Sequence, residues 1–325
     1  MKRRGNEWSR CVGGKAAPIV VAPKFRGAFD MGKLSAVFVL ISITLLPLQS
    51  CRGGNPVYDE LMRRGVPIGA REVVRLPAPT LADGLTAEQQ RHAVEGIADG
   101  THTWEELTRR SVVAPFVFKM PKETDQGGPG RRVDLWFVAY GNMSTLENNE
   151  WLERQFKTTG SETDPDNGAV VKVLTEGDLA RHGVRLGQSA DEPQYVFAEL
   201  TLLDRVRLSV TTRGAKLQTP ESVTTASLLD PRFANDSQYA NRWRPVLRDD
   251  NNRRYLGKPE PYFGYGSYAK ATRLLDPPGA ILIEYHAAFA EPEGWFNGNN
   301  FLCSKLPILA QMIVRQLRRE LAKSH

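Results

Sequence analysis

The chain of 325 residues has few cysteines and histidines, and no hydrophobic run long enough to cross a bilayer as a helix. Its one sustained apolar stretch, Leu34 to Leu48, is fifteen residues and contains Pro47, whereas a spanning helix needs roughly 20. Of the three cysteines, Cys11 and Cys51 flank that stretch, and Cys303 is alone in the remainder. A region with one cysteine has no internal disulfide and must be held by its apolar core. His92, His102, His182, His286 and His325 are scattered and offer no pair at metal-ligand spacing. H-E-x-x-H and Walker motifs are lacking, and "GYGSYAK", nearest to a nucleophile elbow, breaks at Tyr268-Ala269. "DPDNG" (164–168) lacks the later ligands of a calcium loop and reads as a turn. Neither a cofactor nor a metal is indicated.

Charge of one sign is also lacking where it would matter. The chain carries 43 Lys+Arg against 37 Asp+Glu, but eight and two of these lie in residues 1–51, leaving 35 of each sign beyond. The basic balance belongs to the N-terminal segment, and the remainder has no bulk attraction for nucleic acid.

What is present begins with an address. Lys33, the apolar run and "LQSC" (Leu48 to Cys51) have the order of a secretory signal: a positive flank, a short apolar core and a small residue before a cut. The ending resembles the lipobox of bacterial lipoproteins, with Leu48 three residues before the cysteine and Ser50 directly before it. Gln49 stands where that family usually has a small or aliphatic residue. The resemblance implies that Cys51 is lipidated and becomes the N-terminus of an exported, membrane-anchored protein on the extracytoplasmic side, the periplasmic face of either membrane or the cell surface. Counted from Met31, the signal has a complete layout, so residues 1–30 read as an over-extended start. A long n-region or an uncleaved anchor is the alternative.

Residues 52–83, rich in proline and glycine and without sustained periodicity, read as a tether; as a loose coil they would span roughly 30 Å. Within them "REVVRL" has the composition of a short strand. Residues 84–325 read as one α+β domain. Thr86/Gln89 and Thr103/Glu106 have capping-box spacing and open two short helices. "VVAPFVFKM" and "RRVDLWFVAYGNM" read as strands, "STLENNEWLERQF" as a helix, "AVVKVL" as a strand and "EGDLARHGV" as a helical turn. In 205–211, Val206, Leu208 and Val210 alternate with Arg205, Arg207, Ser209 and Thr211, predicting a strand with one wet face. "ESVTTASLL", "SYAKATRLL" and "GAILIEYHAAFA" follow as strands, with 230–266 as a long irregular insert. Leu306, Leu309, Ile313, Leu317 and Leu321 then recur at helical spacing.

That order, with the ending "GAILIEYHAAFAEPEGWF…FLCSKLPILAQMIVRQLRREL", resembles the START or helix-grip family over roughly Val112 to Lys323. The resemblance implies a curved antiparallel sheet with N-terminal helices, wrapped about a long C-terminal helix, and an apolar cavity between them.

Three local constellations carry candidate chemistry. Glu284 and His286, two apart on a strand, share a face and have the makings of a general base with its orienting partner. The alternative is a polar pair on the outer face, satisfied by arginines such as Arg205 or Arg207. Trp295 and Phe296, between turn formers, suit a ligand or partner contact, or a staple between the last strand and the closing helix. Trp243, between Arg242 and Arg244, suits a carboxylate or phosphate clasp, or packing. Three readings follow in order: a lipid-anchored domain binding an apolar or lipid-like ligand noncovalently; an envelope lipoprotein that meets a protein partner through 230–266 or the Trp295 loop; and a hydrolase using Glu284 and His286.

Overall fold

The structure, a computed structural model, describes residues 50–51, 54–68, 72–121, 130–148, 170–185, 192–296 and 301–323. Ser50–Cys51 form β1. Asn55 caps α1 (Pro56–Arg64) by accepting from the Tyr58 amide, and Pro56 starts the helix where its missing N–H costs nothing. Gly65, at φ 75°, ends α1 beside the Val74 carbonyl, a conformation and an approach that suit glycine. β2 (Val66–Ile68) and β3 (Glu72–Val74) pair as a hairpin. Both expected capping boxes are formed, at the starts of α2 (Ala87–Ala98) and α3 (Trp104–Leu107). β4 (Val117–Lys119), β5 (Gly130–Tyr140), α4 (Met143–Glu147), β6 (Val170–Val173) and α5 (Glu176–Ala180) follow. Of the helix expected over 144–156, only α4 falls within the described residues, and "DPDNG" falls outside them.

β7 (Gln194–Leu202), β8 (Val206–Gln218) and β9 (Ser222–Leu229) form a meander. The 230–266 segment, expected to be irregular, supplies β10 (Arg242–Arg248), β11 (Arg254–Leu256) and β12 (Glu260–Pro261). Its prolines and charges hid strands that pair at the sheet's margin, where one wet side is tolerated. β13 (Tyr265–Arg273) and β14 (Ala280–Ala290) precede α6 (Phe301–Ala322), whose Pro307 falls at its seventh residue.

The main sheet has twelve strands along the path β11-β10-β8-β9-β13-β14-β5-β4, with β7 and β6 beyond β8. Apart from the two-residue β1, which runs parallel to β8, every pairing is antiparallel. This is the expected α+β class: a curved antiparallel sheet, N-terminal helices and a long C-terminal helix packed on it. Register divides the sheet into two faces. Ile281, Ile283, Tyr285, Ala287 and Phe289 of β14 share one face with Val133, Leu135, Phe137 and Ala139 of β5. α6 lies on that concave face: Arg318 sits over the Phe137 ring, and Gly141 leaves room for Leu321. Arg318 also donates to the Val138 carbonyl from Nε at 2.8 Å, clamping the helix to β5.

The other, convex face is where the expected tether lies. Residues 55–68 and 72–83 fold against it, with Val57, Leu61, Val66, Ile68, Val74, Leu76 and Leu81 all buried. Asn55 Nδ2 donates to the Ala215 carbonyl at 2.9 Å, and Tyr58 meets Tyr268 edge to face. Burying each such aliphatic side chain is worth about 1.5–3 kcal/mol, which offsets the entropy of ordering a proline-rich segment. Gly266 permits the contact, because a Cβ there would meet Val66 Cγ2 at 2.7 Å and Leu61 Cδ2 at 2.9 Å. The apolar residues are spread over three short elements of different period, so no single pattern announced them.

Candidate functional site

The concave face changes character along β9. Gly214, Ser227, Ser267 and Ala287 stand opposite one another on β8, β9, β13 and β14, forming a row of small residues across the middle of the sheet. One step along lie Lys216, Thr225, Ala269 and Tyr285, also in register. The two rows share their face with the apolar residues that meet α6. Thr225 Oγ1 and Ser227 Oγ are both buried and make no hydrogen bond among the described residues. Leaving a buried hydroxyl unsatisfied costs about 1–3 kcal/mol, so two neighbours in that state mark a surface built to meet something else. Lys216, cross-strand from Thr225, donates from Nζ to the Glu147 carbonyl at 2.9 Å. Burial, only partly opposed by Glu147, holds its ammonium below the ordinary lysine pKa. Nearby, Tyr265 Oη and Ser267 Oγ share a hydrogen bond of 2.7 Å.

None of these residues stood out in the sequence, although a signal was there. "SVTTASLL" places Thr225 and Ser227 on the same side as Val223 and Leu229, which is an apolar strand face interrupted by two hydroxyls.

The convex face holds the predicted pair. Glu284 and His286 do share a face, and His286 lies between two carboxylates: Nδ1 is 2.8 Å from Asp134 Oδ1 and Nε2 is 3.4 Å from Glu284 Oε2. Asp134, directly across β5 from His286, also accepts from Arg132 Nε at 2.9 Å. The partners are therefore Asp134 and Arg132, from a strand 150 residues away in sequence, in place of the expected Arg205 or Arg207. Burial alone would push the His286 imidazole down, but its hydrogen bonds and charge contacts with Asp134 and Glu284 outweigh this and raise its pKa.

Residues 77–83 lie over this group as a strap. The Thr80 amide donates to Glu284 Oε2 at 2.9 Å, and Trp136 Nε1 donates to Thr80 Oγ1 at 3.0 Å. Tyr268 Oη donates to the Pro77 carbonyl at 2.7 Å, and its ring leans on His286. Burial, reinforced by the Glu284 charge, raises the Tyr268 pKa well above the ordinary phenol range. Lys270 Nζ reaches the Leu81 carbonyl at 2.8 Å and Asp83 at 3.0 Å, while Asp83 accepts from Thr219 and Ser222. Glu284 and His286 are each 0 % exposed. A general base must face a cleft that substrate can enter; these two face a strap, so the hydrolase reading loses its geometry. The arrangement fastens chain to sheet.

The three aromatic candidates are also interior. Trp243 points to the concave side of β10, opposite Leu208. Trp295 stacks on Tyr262 at 5.6 Å and meets Trp243 and Phe296 edge-on at 6.2 and 6.0 Å. All three are buried, packed on one another and on Tyr262 in an interior aromatic cluster and not as an exposed contact. Cys51 pairs through its backbone with Leu217 of β8; its side chain lies outside the described atoms.

No family model matches the chain, and no curated protein sequence does. Among solved structures, the chain is similar to the human StarD13 (DLC2) lipid transfer and protein localization domain, at 12% identity and a TM-score of 0.39, over 65% of this chain and 86% of that one. Human STARD10 is similar at 10% identity and a TM-score of 0.31, over 80% and 88%. The di-domain ARO/CYC StfQ from the steffimycin biosynthetic pathway follows at 11% and 0.22, over 64% and 75%. Likeness at this level assigns nothing to the chain's own residues.

Proposed function

We propose that this chain is a lipid-anchored, extracytoplasmic protein that binds an apolar, lipid-like ligand noncovalently between the concave face of its sheet and α6. One observation carries the binding reading: two unpartnered, buried hydroxyls, Thr225 Oγ1 and Ser227 Oγ, stand in the smallest-residue zone of an otherwise apolar face. An elongated apolar molecule with one polar end would fill that zone and supply the missing hydrogen bonds. Lys216 beside Thr225 suits the polar end.

The test is native mass spectrometry of the full chain, followed by denaturing spray of the same sample. A version beginning at residue 84 would lack α1 and the strap and is the wrong material. The expected result is an added mass that vanishes on denaturation and is absent from a Ser227→Leu variant. A bare wild-type mass, or the same adduct on the folded variant, would refute the reading. The anchor rests on "LQSC" alone and is tested separately: Cys51→Ser should stall processing or release the protein from membranes, and unchanged fractionation would sink it.

A second reading, contact with an envelope protein through 230–266, has one observation in its favour. Tyr255, Leu256 and Phe263 in that segment each expose about half of their surface.

A further inference from the structure

The convex face is covered at one end by α2 and α3, in the middle by α1 and the strap, and near β7 by α5 and the Phe233–Tyr239 loop. Beyond the Phe233–Tyr239 loop, toward β10, it opens into a cleft of about 250 Å³, lined by Phe197, Glu199, Arg207, Ser209, Arg242 and Arg244 among others. That is the liquid volume of about eight water molecules. The cleft lies apart from the concave site, and its occupancy is independent of the function proposed above.

Its charges do not balance. Arg207 is spoken for: Nε and Nη2 donate to Glu199 Oε1 at 3.0 and 2.6 Å, and Nη1 donates to Thr201 at 3.0 Å. Ser209 Oγ donates to the second Glu199 oxygen at 2.9 Å, so the single carboxylate of the cleft is used up. Burial pushes the Glu199 carboxyl up, but Arg207, Ser209 and, more weakly, the Arg244 charge bring it below its ordinary value, and it stays ionised at neutral pH. Two cations remain. Among the described residues Arg242 makes only two long contacts, from Nη2 to the Asp236 and Ser237 carbonyls at 3.3 and 3.4 Å. Arg244 forms no hydrogen bond or ion pair among the described residues, although it is half-buried. It also stands directly opposite Arg207 in the β8–β10 register, and Arg242 stands opposite Ser209. Like charges facing each other across strands destabilise a sheet, and half-burial weakens the solvent screening that would relieve them. An anion between Arg242 and Arg244 removes both costs, and the planar guanidinium fork suits a two-oxygen acceptor. Phe197 and Leu256 add apolar wall.

We propose that this cleft is a binding site for a small organic oxyanion, a carboxylate or phosphate monoester carrying a short apolar group. The ligand's oxygens bridge Arg242 and Arg244, and its apolar part lies toward Phe197 and Leu256. Glu199 acts as a positioning residue that holds Arg207 flat against the floor and limits the site to one anionic group.

Isothermal titration of the full chain with benzoate, phenyl phosphate and the neutral benzyl alcohol tests this. The expected result is saturable binding of at least one anion, none of the alcohol, and weakening with added salt. Whichever anion binds more tightly names the source of the oxyanion. Arg244→Gln should weaken binding about tenfold or more, as loss of a charge-assisted pair does. Arg253→Gln, exposed and outside the cleft, should leave it unchanged. Because Arg244 makes no hydrogen bond among the described residues and only a charge attraction to Glu199, its variant should fold, with a wild-type near-UV spectrum; Arg242→Gln serves if it does not. No saturable binding of either anion, or equal losses in Arg244→Gln and Arg253→Gln, would overturn the proposal.

Discussion

The two faces of the one sheet solve opposite problems. Under the strap on the convex face, Asp134, Glu284 and Asp83 meet His286, Arg132 and Lys270, so each of these charges has a partner, although Glu284 Oε1 and Thr272 Oγ1 make no hydrogen bond among the described residues. On the concave face the one charge, Lys216, stands beside two neutral hydroxyls, Thr225 Oγ1 and Ser227 Oγ, that have no partner among the described residues. A buried ion network is expensive to assemble and more expensive to break, so it suits a permanent fastening. Isolated unpaired hydroxyls suit a surface that exchanges what it touches.

The largest expected effect is on the convex side. His286→Phe would leave Asp134 and Glu284 without their shared cation and should cost about 3–5 kcal/mol in denaturant unfolding. A loss below ~1 kcal/mol would mean that the strap is not held by this network. The same network gives a pH signature. The folded chain binds the His286 proton more tightly than the unfolded chain, so this contribution is complete below about pH 6.5 and is lost as pH rises through the elevated value. Asp83 runs the other way. Burial would raise its pKa, but Thr219, Lys270 and Ser222 hold it low, so its contribution is lost as pH falls through that depressed value. Thermal unfolding should therefore peak in mildly acidic buffer, and His286→Phe should flatten the alkaline side. Two tyrosines stay neutral through that window: Tyr268, raised by burial and Glu284, and Tyr58, pushed up to about 12 by burial, Glu284 and Asp59.

Next in size is Gly266→Ala, which puts a methyl group against Val66 and Leu61. It should cost about 1–3 kcal/mol by overpacking and raise protease cutting within 55–83 before the sheet unfolds. Uniform loss of all regions at once would argue that the N-terminal segment and sheet are one cooperative unit. Smaller, and opposite in sign, is Thr225→Val. Replacing the unpartnered hydroxyl by a methyl group should stabilise ligand-free protein by about 1 kcal/mol while weakening retention of the bound mass. Destabilisation instead would mean that the hydroxyl already has a partner. Arg244→Gln should change stability least, by less than about 0.5 kcal/mol, since the repulsion from Arg207 and the attraction to Glu199 that it removes offset one another.

Much of the architecture was legible because it is local. The Thr86–Gln89 and Thr103–Glu106 boxes announce their helices with side chains three residues apart, and both form as read. The strict alternation of 206–210 and the apolar spacing of 306–321 likewise became β8 and α6. The "wet" side of β8 did not stay wet: Arg207, Ser209 and Thr211 are buried, because Glu199, Thr201 and Tyr239 come to meet them from other elements. The strands of 230–266 were hidden for a related reason. Arg242, Arg244 and Pro245 look like loop residues until β8 supplies a partner for their backbone.

The pairing of Glu284 with His286 followed from a strand's period of two, which is short-range geometry that any β conformation imposes. Asp134 as their neighbour depended on the register of β5 against β14, set by contacts more than 140 residues apart in the chain. The docking of 55–83 and the meeting of Gly214, Ser227, Ser267 and Ala287 in one row are decisions of the same kind. Period, capping and composition act over a few residues, so they specify elements and their inward sides. Which inward sides face one another is a matter of long-range packing, and there a polar pair became a fastening and four small residues on four strands became a candidate floor for a ligand.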